Sequence, residues 1–172
     1  IEDLDAARGA AEFVLEHMVR DGRLLASWRG EARLPAYLDD HAFVARGLLD
    51  LYEAGFDRRH LDASCDLARR LIDDFEDREV GGFFFTSPNH EPLVAKNRSL
   101  HDGALPSGAG VAAETLLRLA VHTDDETYRE AALRTLSASR EAARRAPSAF
   151  ASLLAAADLA DGSFLRIAIA GD

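Results

Sequence analysis

Val111-Ala112-Ala113-Glu114-Thr115-Leu116-Leu117-Arg118-Leu119-Ala120 holds only two charges in ten residues. Entered through Pro106-Ser107, it reads as a helix over about 106–122 that is apolar on almost every side. A helix apolar all round is buried all round. A second such stretch, Phe150-Ala151-Ser152-Leu153-Leu154-Ala155-Ala156-Ala157, follows Pro147 and carries no charge, giving a helix over about 148–160. Between them, about 126–144 is amphipathic. Tyr128, Ala132, Leu136 and Ser139 share its stripe, with Arg129, Glu130, Arg134, Arg140 and Glu141 elsewhere. Upstream the alternation repeats, with an amphipathic helix over about 3–20, an apolar one over 36–54 and an amphipathic one over 58–75. The expected fold is all-α, with outer and inner helices in strict succession.

The connections alternate too. Inner-to-outer links are short, Gly55-Phe56-Asp57 and His122-Thr123-Asp124-Asp125, and short links make antiparallel neighbours. Residues 21–35 and 78–105 are long loops, and each precedes an inner helix. They therefore gather on one rim, at the inner helices' N-termini. Loops that exceed the usual ~2–8 residues between packed helices commonly carry function. Within the second loop, Gly82-Phe83-Phe84-Phe85-Thr86 and Pro92-Leu93-Val94-Ala95 suggest a small β-hairpin around Ser87-Pro88-Asn89-His90.

The bulk properties narrow the partners. A chain of 172 residues suggests one domain with a real core. The net charge of −10 disfavours nucleic acid and anionic membrane surfaces. Cys65 is the one cysteine, so neither an internal disulfide nor a CxxC centre exists, and it reads as a small apolar helix residue. No apolar run approaches ~18 residues and no signal peptide is evident, so a cytoplasmic location is expected. The start at Ile1 and a strand-like Phe164-Leu165-Arg166-Ile167-Ala168-Ile169-Ala170 near the end suggest a piece of something longer.

Several motifs, in order along nearly the whole chain, carry a resemblance. They are Gly22-Arg23-Leu24, Ser27-Trp28-Arg29-Gly30, Tyr37-Leu38-Asp39-Asp40-His41-Ala42, Gly81-Gly82-Phe83-Phe84, Asp102-Gly103-Ala104-Leu105-Pro106-Ser107-Gly108, and Leu116-Leu117-Arg118-Leu119 with Tyr128. The chain resembles the C-terminal helical region of the thioredoxin-domain-containing proteins related to the spermatogenesis-associated thioredoxin-like protein. The resemblance implies an (α/α) toroid of six helical hairpins, the fold of N-acylglucosamine 2-epimerases and many glycosidases. Six helices make about half of one. It also implies a thioredoxin-like domain as partner in the longer protein. Where that family commonly has Asn after Pro-Ser-Gly, this chain has Ala109.

The candidate chemistry lies on the rim. Asp39 and Asp40 open the second helix, where carboxylates ordinarily cap free N–H groups. Functionally, one of them would face the mouth and bind sugar hydroxyls or serve as an acid or base. Asp102 is the natural second carboxylate, since glycoside hydrolysis uses a pair across the scissile bond. His41 and His101 are candidate bases near neutral pH. Trp28, Tyr37 and Phe84, with Phe83 and Phe85, would offer stacking faces, although loop aromatics more often anchor to a core. Arg29 and Arg98 would clamp an anionic substrate. Ser107 is a helix cap whose bare N–H groups would hold an anionic group. The six histidines show no metal spacing, so neither metal nor cofactor is expected. The expected function is a carbohydrate-active module, hydrolase- or epimerase-like. The alternative is a non-catalytic scaffold for a thioredoxin-like domain. An open inner face is expected to favour self-association.

Overall fold

The computed structural model describes residues 2–91, 97, 98 and 100–162. Helix α1 (Glu2–Phe13) widens into a π turn at Val14–Met18 and runs into β1 (Val19–Arg20), β2 (Arg23–Trp28) and β3 (Ala32–Pro35). Then come α2 (Leu38–Gly55), α3 (Arg58–Arg70) with a π turn at Leu71–Phe75, α4 (Gly108–Thr123), α5 (Glu126–Arg145), and α6 (Ala151–Asp161) after a 3-10 turn at Pro147–Ala149. No described helix is long and apolar enough to cross a membrane.

The alternation holds. Helices α2, α4 and α6 pack side by side as an inner row, and α3 and α5 back them. Eleven of the 16 residues of α4 are buried. The two charges in its apolar stretch are not wasted: Glu114 and Arg118 lie one turn apart and face α2. Arg118 donates to Asp50 (2.6 Å) and Glu53 (2.7 Å), and Arg46 lies 3.4 Å from Glu114. Short caps set the helix starts. Asp57 accepts from Arg59 N, Asp125 from Thr127 N, and Ser107 from Gly110 N at 3.2 Å. Outer helices are tied in by buried polar bonds, Ser64 Oγ to Ala45 O (2.7 Å) and Tyr128 Oη to Cys65 O (3.3 Å).

Helix α6 departs from expectation. Of its residues only Leu153 and Ala156 are buried, and Leu154 is 42% exposed. Its apolar outer side lines, with Leu133 and Leu136 of α5, an open groove of about 640 Å³. An inner helix needs a neighbour on both flanks, and the described residues supply α6 with one. Its uncharged stretch 150–157 is therefore left partly open on the outer side among the described residues.

The sheet also departs. Residues 19–35 form a three-stranded antiparallel sheet, β1-β2-β3, where a plain loop was expected after a helix running to Arg20. Arg20 pairs with Arg23 across Asp21-Gly22, both with positive φ (52° and 71°), the two-residue turn that Asp-Gly favours. Trp28 pairs with Ala32 across a loop whose Gly30 has φ 76°. The first half of the hairpin expected in the long loop makes one isolated bridge, Glu76 to Phe83. Its second half, 92–95, and the strand expected at 164–170 lie outside the described residues.

The long loop is nonetheless well anchored. Phe83 is fully buried in the main core. Phe84 N donates to Phe75 O (2.9 Å), and Leu38 N donates to Phe85 O (3.1 Å). The second of these bonds ties the loop to the first turn of α2.

Candidate functional site

The N-termini of α2, α4 and α6 meet on one rim, held by carboxylates. Asp102 makes the central staple. Its Oδ1 accepts from Ser107 N (2.8 Å) and from Ser152 Oγ, and its Oδ2 accepts from Ser152 N (2.8 Å). Ser107 Oγ and Ser152 Oγ are 3.1 Å apart. One side chain thus caps α4 and α6 together. Desolvation acts to raise the Asp102 carboxyl, but the bonds from Ser152 and Ser107 outweigh it and hold it below the usual carboxylate range.

Asp40 is likewise committed, accepting from Tyr37 N at 2.8 Å within the first turn of α2. Asp39 is different. It accepts from the N–H of Gly108, the first residue of α4, yet burial, reinforced by Asp40, pushes its carboxyl above the usual range. A Cβ at Gly108 would sit 2.1 Å from Asp39 Oδ1, so only glycine lets the two helix starts come this close. With a folded pKa above 3.8, the folded state binds more protons than the unfolded one just above that value, and stability falls as pH rises through the window. Asp39→Asn should therefore raise the melting temperature at pH 7, with the gain disappearing towards pH 3. Equal melting temperatures at both pH values would contradict it.

His41 is buried on the second turn of α2, against Phe75 at 5.0 Å between rings. Its Nδ1 lies 3.0 Å from Tyr37 O. A carbonyl oxygen only accepts, so the proton sits on Nδ1 and Nε2 keeps its lone pair. Burial lowers the His41 pKa, against the opposing pull of the Tyr37 bond, Asp40 and Asp74. The ring is neutral at pH 7. Because the unfolded chain takes up this proton near 6.5 and the folded one only at lower pH, stability should rise with pH across that interval. His41→Gln should flatten that part of a urea-midpoint profile between pH 5 and 7; an unchanged slope would contradict the account.

His41 also lines a cleft of about 220 Å³. Arg23, Arg70, Asp74, Ser87 and Asn89 supply its other polar groups, and Leu24, Leu25, Pro35, Ala36 and Phe75 its apolar wall. Asp74 and Phe75 belong to the π turn after α3; π turns inside helices occur frequently at functional sites. Beside the cleft, Tyr37 stacks on Phe85 (4.9 Å, 17°) and against His90 (4.6 Å). His90 Nδ1 accepts from Ser87 N at 3.1 Å, which fixes the turn forming that wall.

Several expected site residues lie elsewhere. Trp28 packs on Phe13 (5.3 Å) and His17 (5.4 Å) at the far end of the β2–β3 hairpin, because the sheet that was read as loop carries it away from α2. Arg29 is exposed in the turn beyond it. His101 is exposed, one residue before the staple. Phe84 lies 4.9 Å beneath the Arg98 guanidinium, and Arg98 pairs with the buried Asp77, so both lock the loop. Ser107 is buried as cap, and Ala109 is buried in the core, where it takes no part in the cleft. Sequence inspection missed Arg23, Arg70 and Asp74. The Asp21-Gly22 hairpin signal would have placed Arg23 beside α2, but nothing local marks Arg70 or Asp74. Among the described residues no His, Cys, Asp and Glu group is arranged to hold a metal.

Comparisons with known proteins agree with this architecture. No protein-family model matches the chain. It is 32% identical over 181 residues to spermatogenesis-associated protein 20 of Homo sapiens, covering 98% of the chain and 23% of that protein. It is 33% identical over 178 residues to the Rattus norvegicus protein of the same name, covering 96% of the chain and 23% of that protein. An uncharacterised protein of Caenorhabditis elegans is 30% identical over 138 residues, 75% of the chain and 19% of that protein. The chain thus spans about a quarter or less of the length of these relatives. Among solved structures, cellobiose 2-epimerase from Spirochaeta thermophila superposes with a TM-score of 0.58 at 22% identity, over 80% of this chain and 37% of that one. That likeness establishes the helical toroid fold.

Proposed function

We propose that this chain, a homologue of one segment of spermatogenesis-associated protein 20, is the rim-bearing part of a carbohydrate-active toroid, with its site at the His41 cleft. The observation that carries this is a neutral, singly tautomeric imidazole lining a small polar cleft where the inner helices begin. The epimerase named above shares the fold and acts on a sugar, which supports the same substrate class here. At about 220 Å³ the cleft is below the ~300–1,000 Å³ usual for ligand pockets, which suits a single sugar ring.

Proton transfer fits better than hydrolysis. Glycoside hydrolysis needs two carboxyl groups ~5–9.5 Å apart with the scissile bond between them. Here Asp40 and Asp102 are both taken up by backbone N–H groups, and Asp39, whose carboxyl is raised by burial, accepts from Gly108 N–H as well. His41 Nε2 suits removal of the proton from the carbon next to the carbonyl of an open-chain sugar. The C–H pair moves to the carbonyl oxygen as an enediolate, and return of the proton to that carbon or its neighbour gives epimer or isomer. Incubating the protein in D2O with a panel of reducing sugars should place deuterium at that carbon, seen as loss of its proton NMR signal. His41→Gln should abolish the exchange. No exchange with any sugar, or exchange undiminished in the variant, would refute the assignment.

A further inference from the structure

We propose that the His41 cleft takes a sugar derivative bearing an anionic group, held by the Arg70 guanidinium with Arg23 at the mouth. This deepens the carbohydrate reading and rests on it. Arg70 is the last residue of α3 and about a third of its side chain is exposed. Its charge contact, Asp74, lies at 3.9 Å, beyond hydrogen-bonding distance, so among the described residues its five donors make no hydrogen bond. A planar fork of unspent donors beside a cleft suits bidentate binding of phosphate or carboxylate.

The fold makes room for this arginine. A Cβ at Gly22 would stand 2.9 Å from Arg70 Nη2, and Gly22 has φ 71°. The β1–β2 turn thus lies against the guanidinium, and the positive φ of Gly22 is what favours glycine at that position. Asp74, from the adjoining π turn, sits close enough to orient the fork without saturating it. The lining also offers Ser87 and Asn89, and His41 contributes no charge there. The charged groups lining the cleft are Arg23, Arg70 and Asp74, a net of +1 inside a chain of net −10. The negative dipole end of α3 opposes an anion here, but that effect is screened at a partly exposed site, whereas a bidentate bond is direct.

Equilibrium binding of four probes tests this: a neutral hexose, its 6-phosphate, the corresponding hexuronate, and inorganic phosphate. The hexose 6-phosphate or hexuronate should bind at least tenfold more tightly than the hexose. Whichever binds tighter identifies phosphate or carboxylate as the group. Arg70→Gln should erase that preference, weakening the anionic probes at least tenfold more than the hexose, while Arg70→Lys should retain part of it. Arg23→Gln, an exposed change, should weaken the anionic probes more than the hexose, and added salt should do the same. Equal affinity for hexose and its anionic derivatives would overturn the proposal and leave the sugar site standing. Inorganic phosphate binding as tightly as the hexose phosphate would overturn it too, since the sugar would then contribute nothing. Failure of all four probes to bind would take the carbohydrate reading down with it.

Discussion

Replacing Asp102 with alanine should lower the stability of the protein by about 3 kcal/mol, since bonds to a charged acceptor are worth roughly 1.5–3 kcal/mol each and two of those lost are helix-start donors that water partly re-satisfies. The two N–H groups of Ser107 and Ser152 lose their acceptor, as does the Ser152 hydroxyl. With a folded pKa held below its usual value, the carboxylate contributes stability above pH 3.8 and loses it as pH falls through the lower folded value. The gap between the parent and Asp102→Ala in urea unfolding should therefore be full at pH 7 and shrink below about pH 3.8. Asp102→Asn should fall between them, since it keeps one acceptor oxygen without the charge. A change under ~0.5 kcal/mol, the range of an ordinary surface substitution, would mean that the staple is decorative.

Gly110→Ala should be comparably damaging. Alanine would gain up to ~1 kcal/mol in helix propensity. Against that, its Cβ would lie 2.1 Å from Ser152 Oγ, 2.7 Å from Ser152 Cβ and 3.1 Å from the Leu153 backbone nitrogen. The last of these cannot swing aside, so α6 must move away from α4. Overpacking alone costs ~1–3 kcal/mol, and displacing Ser152 strains its bonds to Asp102. The net expectation is a loss of about 2–4 kcal/mol, or a fall of about 5–15 °C in melting temperature for a chain of this size. Gly110→Val should abolish the cooperative transition. An alanine variant as stable as the parent would contradict the close crossing of α4 and α6.

Much of the architecture was legible because it rests on periodicity. The run from Val111 to Ala120 announces an inner helix, and the short links at 55–57 and 122–125 give antiparallel neighbours. What escaped detection depended on partners distant in sequence. Asp102 looks like a turn residue until Ser152, 50 positions on, is placed beside it. Asp39 shows its unusual titration only once burial in the fold is added to the neighbouring Asp40. The sheet was missed despite the Asp21-Gly22 signal, because an apolar stretch as short as Leu24-Leu25-Ala26 has no period of its own. Among the aromatics, Trp28 belongs to a separate cluster, and Phe83 is core, as loop aromatics more often are.

The account stands on the rim cleft as the place where a sugar sits. Backbone amide chemical-shift mapping during titration with the best-binding sugar tests it most directly. Shifts should concentrate at Leu25, Tyr37, His41, Asp74 and Ser87, with the α5–α6 groove around Leu133 and Leu154 unmoved. Shifts confined to that groove, or absent from the first two turns of α2, would contradict it.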